Sequence, residues 1–399
     1  MRLLVVNYEY PPLGGGGGVL CRDMCECLVE MGHDVTVLTS NFQDLAAQET
    51  CNGVTIERVS VWFRFGKQTA SIASMLSFYP LACRAGRRLL QQQPFDLINS
   101  YFAIPSGPVG HQLAQHSGLP NVLFLLGGDV YDPSKALSPH RTPLLHQTVG
   151  HMIDKADAVM AGSKNTLASA RRYYHSQRRI DVVPLGLHLA HPVTASKAEL
   201  SLDDQHAVLC TIGRLVRRKN IPELIDILAQ VNQSTLATLV VMGDGPEAGS
   251  IRDYAHQRGL EQQVVLTGRV NEQRKQQYLA ASDLYVSASM HEGFGLVFLE
   301  AMQAGLPVVC YNNGGQTDFL EQGRTGYLIE LGHKQTFGEQ VNMLLLDPAK
   351  RTMMARYNMA KVASYDIGHC AQQYLDIFQR TLGVTSRSTP DSPGSNPQT

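Results

Sequence analysis

The chain has no uninterrupted apolar run approaching the ~20 residues that cross a bilayer, so a helical membrane span does not organise it. It also lacks any Cys-x-x-Cys pair. Its eight cysteines are scattered over 399 residues, which reads as reduced thiols in a cytoplasm and not as a disulfide framework. Cys21, Cys25 and Cys27 fall together on one helical pattern without a histidine nearby, and that favours core filling over a metal site. No His, Asp or Cys cluster with metal-ligand spacing is visible, and neither a metal nor a cofactor is expected. Charge is scarce and balanced: 17% of residues are charged and the formal net charge is −1. No global field recruits nucleic acid or an anionic membrane, so phosphate binding has to come from local placement. The opening MRLLVVNYEYPP carries one basic residue and its apolar run stops at Asn7, as expected of a buried strand and not of a signal peptide.

What is present is strand and helix in alternation, twice over, which predicts an α/β protein with two parallel-sheet domains. In the first half, strands are predicted at 3–7, 35–39, 97–99, 121–125, 158–161 and 180–184. Gly14 to Gly18 form a loop, and Leu20, Met24, Leu28 and Met31 mark a helix face that Gly32 ends. In the second half, strands are predicted at 208–212, 238–242, 264–267, 283–288 and 307–311. One helix there takes Asn220 as its cap, Pro222 in its first turn and Glu223 at the capping-box position. The resulting division is a first domain over 1–187, a linker with Pro192 over 188–205, a second domain over 206–364, a last helix over 365–383 and a disordered tail over 384–399. Two such domains face one another across a cleft at the carboxyl ends of their strands, where these folds bind ligands.

The stretch HEGFGLVFLEAMQAGLPVV, residues 291–309, carries most of the chemistry. Glu292 and Glu300 stand eight residues apart around Gly293-Phe294-Gly295, and Leu296, Leu299 and Met302 then recur at helical spacing. A helix opening at that turn presents unpaired N–H groups to an anion, with one carboxylate just before the anion and one about two turns along. A nucleotide sugar, with a charged diphosphate between two hydroxyl-rich rings, has that shape.

Other loops at the same sheet edges add to the site. Gly15, Gly16 and Gly17, within the run Gly14 to Gly18, let the chain pass close to a phosphate or sugar, although two prolines before them exclude the tight dinucleotide turn. Gly213 and Arg214 end a strand and Lys219 follows before the helix: two cations in one loop that can clamp a diphosphate. Arg217 and Arg218 beside them leave a solvated basic loop as the plainer alternative. Gly243-Asp244-Gly245-Pro246 is a tight turn at the same edge, and Gly314 and Gly315 offer further amides.

With these motifs in this order, the chain resembles glycosyltransferase family 4, retaining enzymes of the GT-B fold, over roughly residues 1–380. The resemblance implies two Rossmann-like domains, a donor held mainly by the C-terminal one, and a last helix crossing back onto the N-terminal one. In that picture Arg214 and Lys219 neutralise the leaving diphosphate, Glu300 holds the ribose hydroxyls and Glu292 the transferred sugar. Gly293, Phe294, Gly295 and Leu296 line the phosphates or sugar, with Gly213 and Gly245 close by. Many relatives carry His-Gly-x-Asp after an N-domain strand; here the stretch is Leu126-Gly127-Gly128-Asp129, which retains Asp129 and lacks the imidazole. The usual Glu near Gly315 is Asp318.

The leading reading is a hexosyltransferase that moves a sugar from a nucleotide diphosphate sugar to a sugar or lipid-linked acceptor, with retention and without a metal, in cell-surface polysaccharide or glycolipid synthesis. Leu126 supports the alternative, a non-catalytic nucleotide-sugar-binding or regulatory protein. A nicotinamide oxidoreductase lacks its glycine context, and a 2-epimerase lacks placeable acid and base residues. Residues 71–90 mix apolar side chains with Arg84, Arg87 and Arg88, and are read as an ordinary packed helix, with peripheral membrane contact as the second reading. The expected station is the cytoplasm or the inner face of its membrane.

Overall fold

Buried strands that alternate with one-sided helices bury both faces of a parallel sheet, and the computed structural model does this twice. The structure describes residues 1–67, 70–134, 137–189 and 193–385. Pro192 and the expected tail from 386 on therefore lie outside the described residues.

The first sheet holds β1 (Arg2–Val6), β2 (Asp34–Asn41), β3 (Gln48–Cys51), β4 (Val54–Ser60), β5 (Leu97–Tyr101), β6 (Asn121–Leu125), β7 (Ala158–Ala161) and β8 (Ile180–Val182). Their order is β3-β4-β2-β1-β5-β6-β7-β8, and every pairing is parallel except the edge strand β3 on β4. Helices α1 (Gly16–Glu30), α2 (Ile72–Gln92), α3 (Ser106–Ser117), α4 (Pro143–Lys155) and α5 (Lys164–Tyr174) connect the strands. The second sheet holds β9 (Ala207–Ile212), β10 (Ala237–Met242), β11 (Val264–Gly268), β12 (Leu284–Ser287), β13 (Val308–Tyr311) and β14 (Gly326–Ile329), in the order β11-β10-β9-β12-β13-β14. With it go α6 (Ile221–Val231), α7 (Ala248–Gln257), α8 (Glu272–Ala280), α9 (Leu296–Gln303), α10 (Lys334–Leu346) and α11 (Pro348–Val362).

The last helix, α12 (Ile367–Thr385), returns to the first sheet. Leu187 and Asp366 pair as an isolated bridge where the two chain segments pass. Tyr374 meets the β6 residue Phe124 edge-on at 5.2 Å, and Cys370, Tyr374 and Phe378 are fully buried. One apolar core is thereby continuous from the first sheet through α12 into the second.

Two local expectations are corrected, and three strands go beyond any expectation. The glycine run is not all loop: Gly16, Gly17 and Gly18 form the first turn of α1 and Gly15 is its cap, because helical geometry there costs entropy but meets no steric bar. Strands β3, β4 and β14 carry no expectation at all; the four residues of β3 are exposed, so they lack an apolar signature. Asn220 caps α6 with left-handed backbone and no side-chain bond to the helix's backbone N–H groups; its amide donates instead to the Glu223 carboxylate, which also accepts from Tyr311.

Candidate active site

In the second sheet β9 lies between β10 and β12, so the loops leaving β9 and β12 part in opposite directions. The crevice they leave is the usual ligand position of such sheets. Into it run Gly213 to Lys219 from β9 and Ala288 to Gly295 from β12. A short 3₁₀ turn, Arg217–Lys219, is fastened to the second loop: Met290 N–H donates to the Arg218 carbonyl at 2.8 Å, and the Arg218 guanidinium to the His291 carbonyl at 2.8 Å. Lys219 then folds back across Gly213. A Cβ added at Gly213 would stand 2.8 Å from Lys219 Cε, so any side chain there displaces the ammonium stem.

Glu292 sits where these loops meet, buried with 7% side-chain exposure. Its carboxylate accepts from the Lys219 ammonium and from Arg218 Nη1 at 3.2 Å. Burial works against its ionisation, yet the Lys219 and Arg218 charges outweigh it and hold the carboxyl down to about 2. Arg218, which the sequence offers as a surface cation, thus belongs to the cluster. Arg214 is exposed at the mouth of the same loop. Glu292, the residue expected to hold the sugar, accepts from two cations.

Gly295 starts α9 in left-handed conformation, and no side chain caps the helix. Its first N–H groups therefore keep their partial positive charge facing the crevice. Phe294 turns the other way, into the core against Phe319 at 5.1 Å and Tyr365 at 6.3 Å, so only its backbone can line a ligand. Leu296 is half-buried against the same core. Glu300 is partly exposed on α9 and pairs with Lys275 at 2.8 Å. Several amides expected to serve a ligand are spent locally. Gly213 N–H donates to the Met242 carbonyl at 3.0 Å, Gly245 N–H to Asp244 Oδ1 at 2.7 Å and Gly315 N–H to the Glu292 carbonyl at 2.8 Å.

In the first half the glycine turn is already supplied with an anion. Gly15 N–H donates to Glu9 Oε2 at 3.2 Å, so a carboxylate occupies the position expected for phosphate. Gly15 and Gly16 are exposed with open space above them, whereas a Cβ on Gly17 would stand 2.4 Å from the Phe102 ring and 3.4 Å from Leu126. Gly17 is thus small for packing. Leu126 is buried in the core. Asp129 does not face a ligand either: its oxygens accept from the Ala103, Gly127 and Leu126 amides at 2.7, 2.9 and 3.1 Å. Burial still raises its proton affinity despite those bonds. Its carboxylate fixes the loop that follows β6.

That loop reaches the second half directly. A Cβ on Gly127 would lie 2.8 Å from Gly293 Cα, and one on Gly293 would lie 2.5 Å from the Leu126 carbonyl oxygen. Ser163 Oγ donates to the Gly293 carbonyl at 2.7 Å, and Lys164 N–H to Asp318 Oδ2 at 2.6 Å. Tyr131 meets His291 edge-on at 5.3 Å. Burial lowers the proton affinity of His291, whose Nε2 has no hydrogen-bond partner among the described residues. Ser163, Lys164 and Tyr131 escape a motif reading because their partners lie more than a hundred residues away. Arg218 could have been found, as the immediate neighbour of Lys219.

Known proteins resemble this chain in sequence and in fold. The model of the Glycosyltransferase Family 4 matches residues 14–191, and that of Glycosyl transferases group 1 matches residues 193–361. The chain is 26% identical to the N-acetyl-alpha-D-glucosaminyl L-malate synthase of Bacillus anthracis, over 96% of this chain and 98% of that one. It is 23% identical to a D-inositol 3-phosphate glycosyltransferase of Jonesia denitrificans, over 94% and 93%. Among solved structures, the sucrose-phosphate synthase of Thermosynechococcus elongatus superposes with a TM-score of 0.86 at 21% identity, covering 96% of this chain and all of that one. HepE of Anabaena, in complex with UDP and glucose, gives 0.76 at 22% identity over 95% and 100%. With two family models matched end to end, relatives named for sugar transfer along nearly its whole length, and the fold of those structures, this chain belongs to the glycosyltransferases of family 4 type.

Proposed function

We propose that the chain transfers a hexose from a nucleoside diphosphate sugar to an acceptor hydroxyl, with retention of configuration. The observation that carries this is the Lys219–Glu292–Arg218 cluster at the switch point of the second sheet, beside the uncapped start of α9. In the proposed complex the diphosphate replaces Glu292 as partner of part of the cationic charge, with Arg214 closing from the loop mouth. As the bond to the sugar breaks, negative charge grows on the phosphate, and cations fixed before the reaction stabilise it without reorganising. Glu292 is then freed towards the sugar while it still positions Lys219. Glu300, on the next turns of α9, accepts from the ribose hydroxyls once Lys275 yields.

The donor class is supported by HepE, whose solved complexes hold UDP and UDP-glucose. On the first half, the Glu9 carboxylate under Gly15 repels phosphate and suits hydroxyl groups, so we assign Gly15 and Gly16 to the acceptor or the sugar. The reading needs no protein base: a departing phosphate on the same face as the incoming hydroxyl takes its proton.

The second reading, a nucleotide-sugar-binding protein without transfer, is favoured by Leu126, whose buried side chain offers no hydrogen bond to a sugar. Calorimetry with UDP, GDP, ADP and NAD, followed by incubation of the matching nucleotide sugars, separates the readings. Transfer or slow hydrolysis with an unchanged anomeric configuration, read by proton NMR, supports the first. Tight binding with no turnover supports the second, and binding of NAD alone sinks both.

A further inference from the structure

Helix α8 opens on a side-chain cap, Asn271 Oδ1 accepting from Arg274 N–H at 2.8 Å, and carries Glu272 in its first turn. A carboxylate there suits the positive end of the helix. Lys275 follows three residues on, on the same face, and its ammonium stands 2.8 Å from Glu272 Oε2. The same ammonium donates to Glu300 Oε1 on α9 at 2.8 Å. One cation is thus shared by two carboxylates, and one of the two is the residue assigned to the ribose.

The three groups differ in their surroundings. Lys275 and Glu300 are mostly buried, at 15% and 22% side-chain exposure, whereas Glu272 is 72% exposed. Burial works against the Lys275 ammonium, yet Glu300 and Glu272 outweigh it and raise its proton affinity. It stays charged, and a charge so placed needs a carboxylate partner. Glu272 is held in place for that role, since Gln276 Nε2 donates to its other oxygen at 3.0 Å. The helices themselves are fixed. Tyr278 and Leu279 of α8 and Phe298 and Leu299 of α9 are buried in one core, so an exchange of partners moves side chains and not backbone.

Ribose hydroxyls and the Lys275 ammonium are both donors, and both need the Glu300 oxygens. We propose that Lys275 is a positioning residue of the nucleotide site: it holds the Glu300 carboxylate in place and competes with ribose for it, and Glu272 takes up the ammonium that ribose displaces. Nucleotide affinity is then set by the balance between two ion pairs on α8. The effect is one on binding, because neither residue is placed at the reacting bond. This inference rests on the assignment of Glu300 to the ribose, and so on the proposed donor site.

The signs of two substitutions test it. Lys275→Met keeps the stem and removes the competitor, so nucleotide binds more tightly, by about three- to fivefold. Glu272→Gln keeps the shape and removes the alternative partner. Lys275 is then harder to displace, and binding weakens by about three- to fivefold. The native chain and both variants are titrated by calorimetry with UDP, GDP and ADP, with thermal unfolding measured alongside. Each substitution removes an ion pair, so a merely structural role moves affinity in one direction for both; opposite signs belong to the competition. In the Glu300→Ala chain both effects disappear, because no carboxylate is left to compete for. Glu272 is largely exposed, so Glu272→Gln leaves the fold intact, and its weakening vanishes when it is combined with Lys275→Met. Effects of one sign, no effects, or effects that persist without Glu300 overturn the proposal and leave the donor site standing. Binding of none of the three nucleotides by the native chain removes the donor site, and the proposal with it.

Discussion

At the residue scale the proposed site is an arrangement of charges that neutralise one another, with Glu292 paired to both Lys219 and Arg218. Lys219→Ala and Arg214→Ala each remove a hydrogen bond to a charged group, worth ~1.5–3 kcal/mol, so nucleoside diphosphate affinity falls roughly ten- to a hundredfold. Calorimetry with diphosphate and monophosphate checks this, and an equal loss for both ligands would place the cations elsewhere than at the second phosphate. Glu292→Gln keeps the shape and removes the charge. Turnover drops by more than about tenfold, while diphosphate affinity does not weaken, because the lost carboxylate competes for the same cations. The same residue makes a pH prediction. Its folded value of about 2 lies below the ordinary glutamate value of 4.5, so its contribution, roughly 3 kcal/mol, is fully present above 4.5 and is lost as pH falls towards 2. Thermal unfolding of the native chain and of Glu292→Gln should therefore differ most above pH 4.5 and converge below it.

At the element scale, two contacts decide whether the halves work as one. The loop after β6 touches the loop after β12 through bare glycine backbone at Gly127 and Gly293. Gly293→Ala puts a methyl group 2.5 Å from the Leu126 carbonyl and props the cleft open. Turnover should fall by about tenfold or more, since closure assembles the site, while the unfolding temperature moves little. Small-angle scattering that shows no opening would refute that account. The other contact is α12, whose Cys370, Tyr374 and Phe378 are fully buried. Burial of a large apolar side chain is worth ~1.5–3 kcal/mol, so deletion from Tyr365 onward strips enough to separate or unfold the halves. Truncation after Thr385 should leave unfolding and turnover unchanged, and equal damage from both truncations would show that α12 does not hold the assembly.

At the scale of the whole molecule, no helix among the described residues is long and apolar enough to cross a membrane. The proposed chemistry places its positive charge in side chains, so turnover should survive EDTA and gain nothing from added manganese or magnesium. Loss with EDTA that either ion restores would mean that the leaving diphosphate is neutralised by metal and not by Lys219 and Arg214.

The two-sheet architecture was legible because parallel strands buried on both faces write short apolar runs into the sequence, and most of those runs sit within a residue or two of the observed strands. The segment from Glu292 to Glu300 was legible because a glycine turn and the helix that it opens are local in sequence. What the sequence could not determine is where each polar group spends its hydrogen bonds. Asp129 looks like a ligand residue until its oxygens are found on three backbone amides, and Phe294 until its ring is found against Phe319 and Tyr365. Arg218 looks like surface until Glu292 is found beside it, 74 residues along the chain. Side-chain type and spacing are properties of the chain; partnership between distant residues is a property of its packing, and tertiary structure alone decides it.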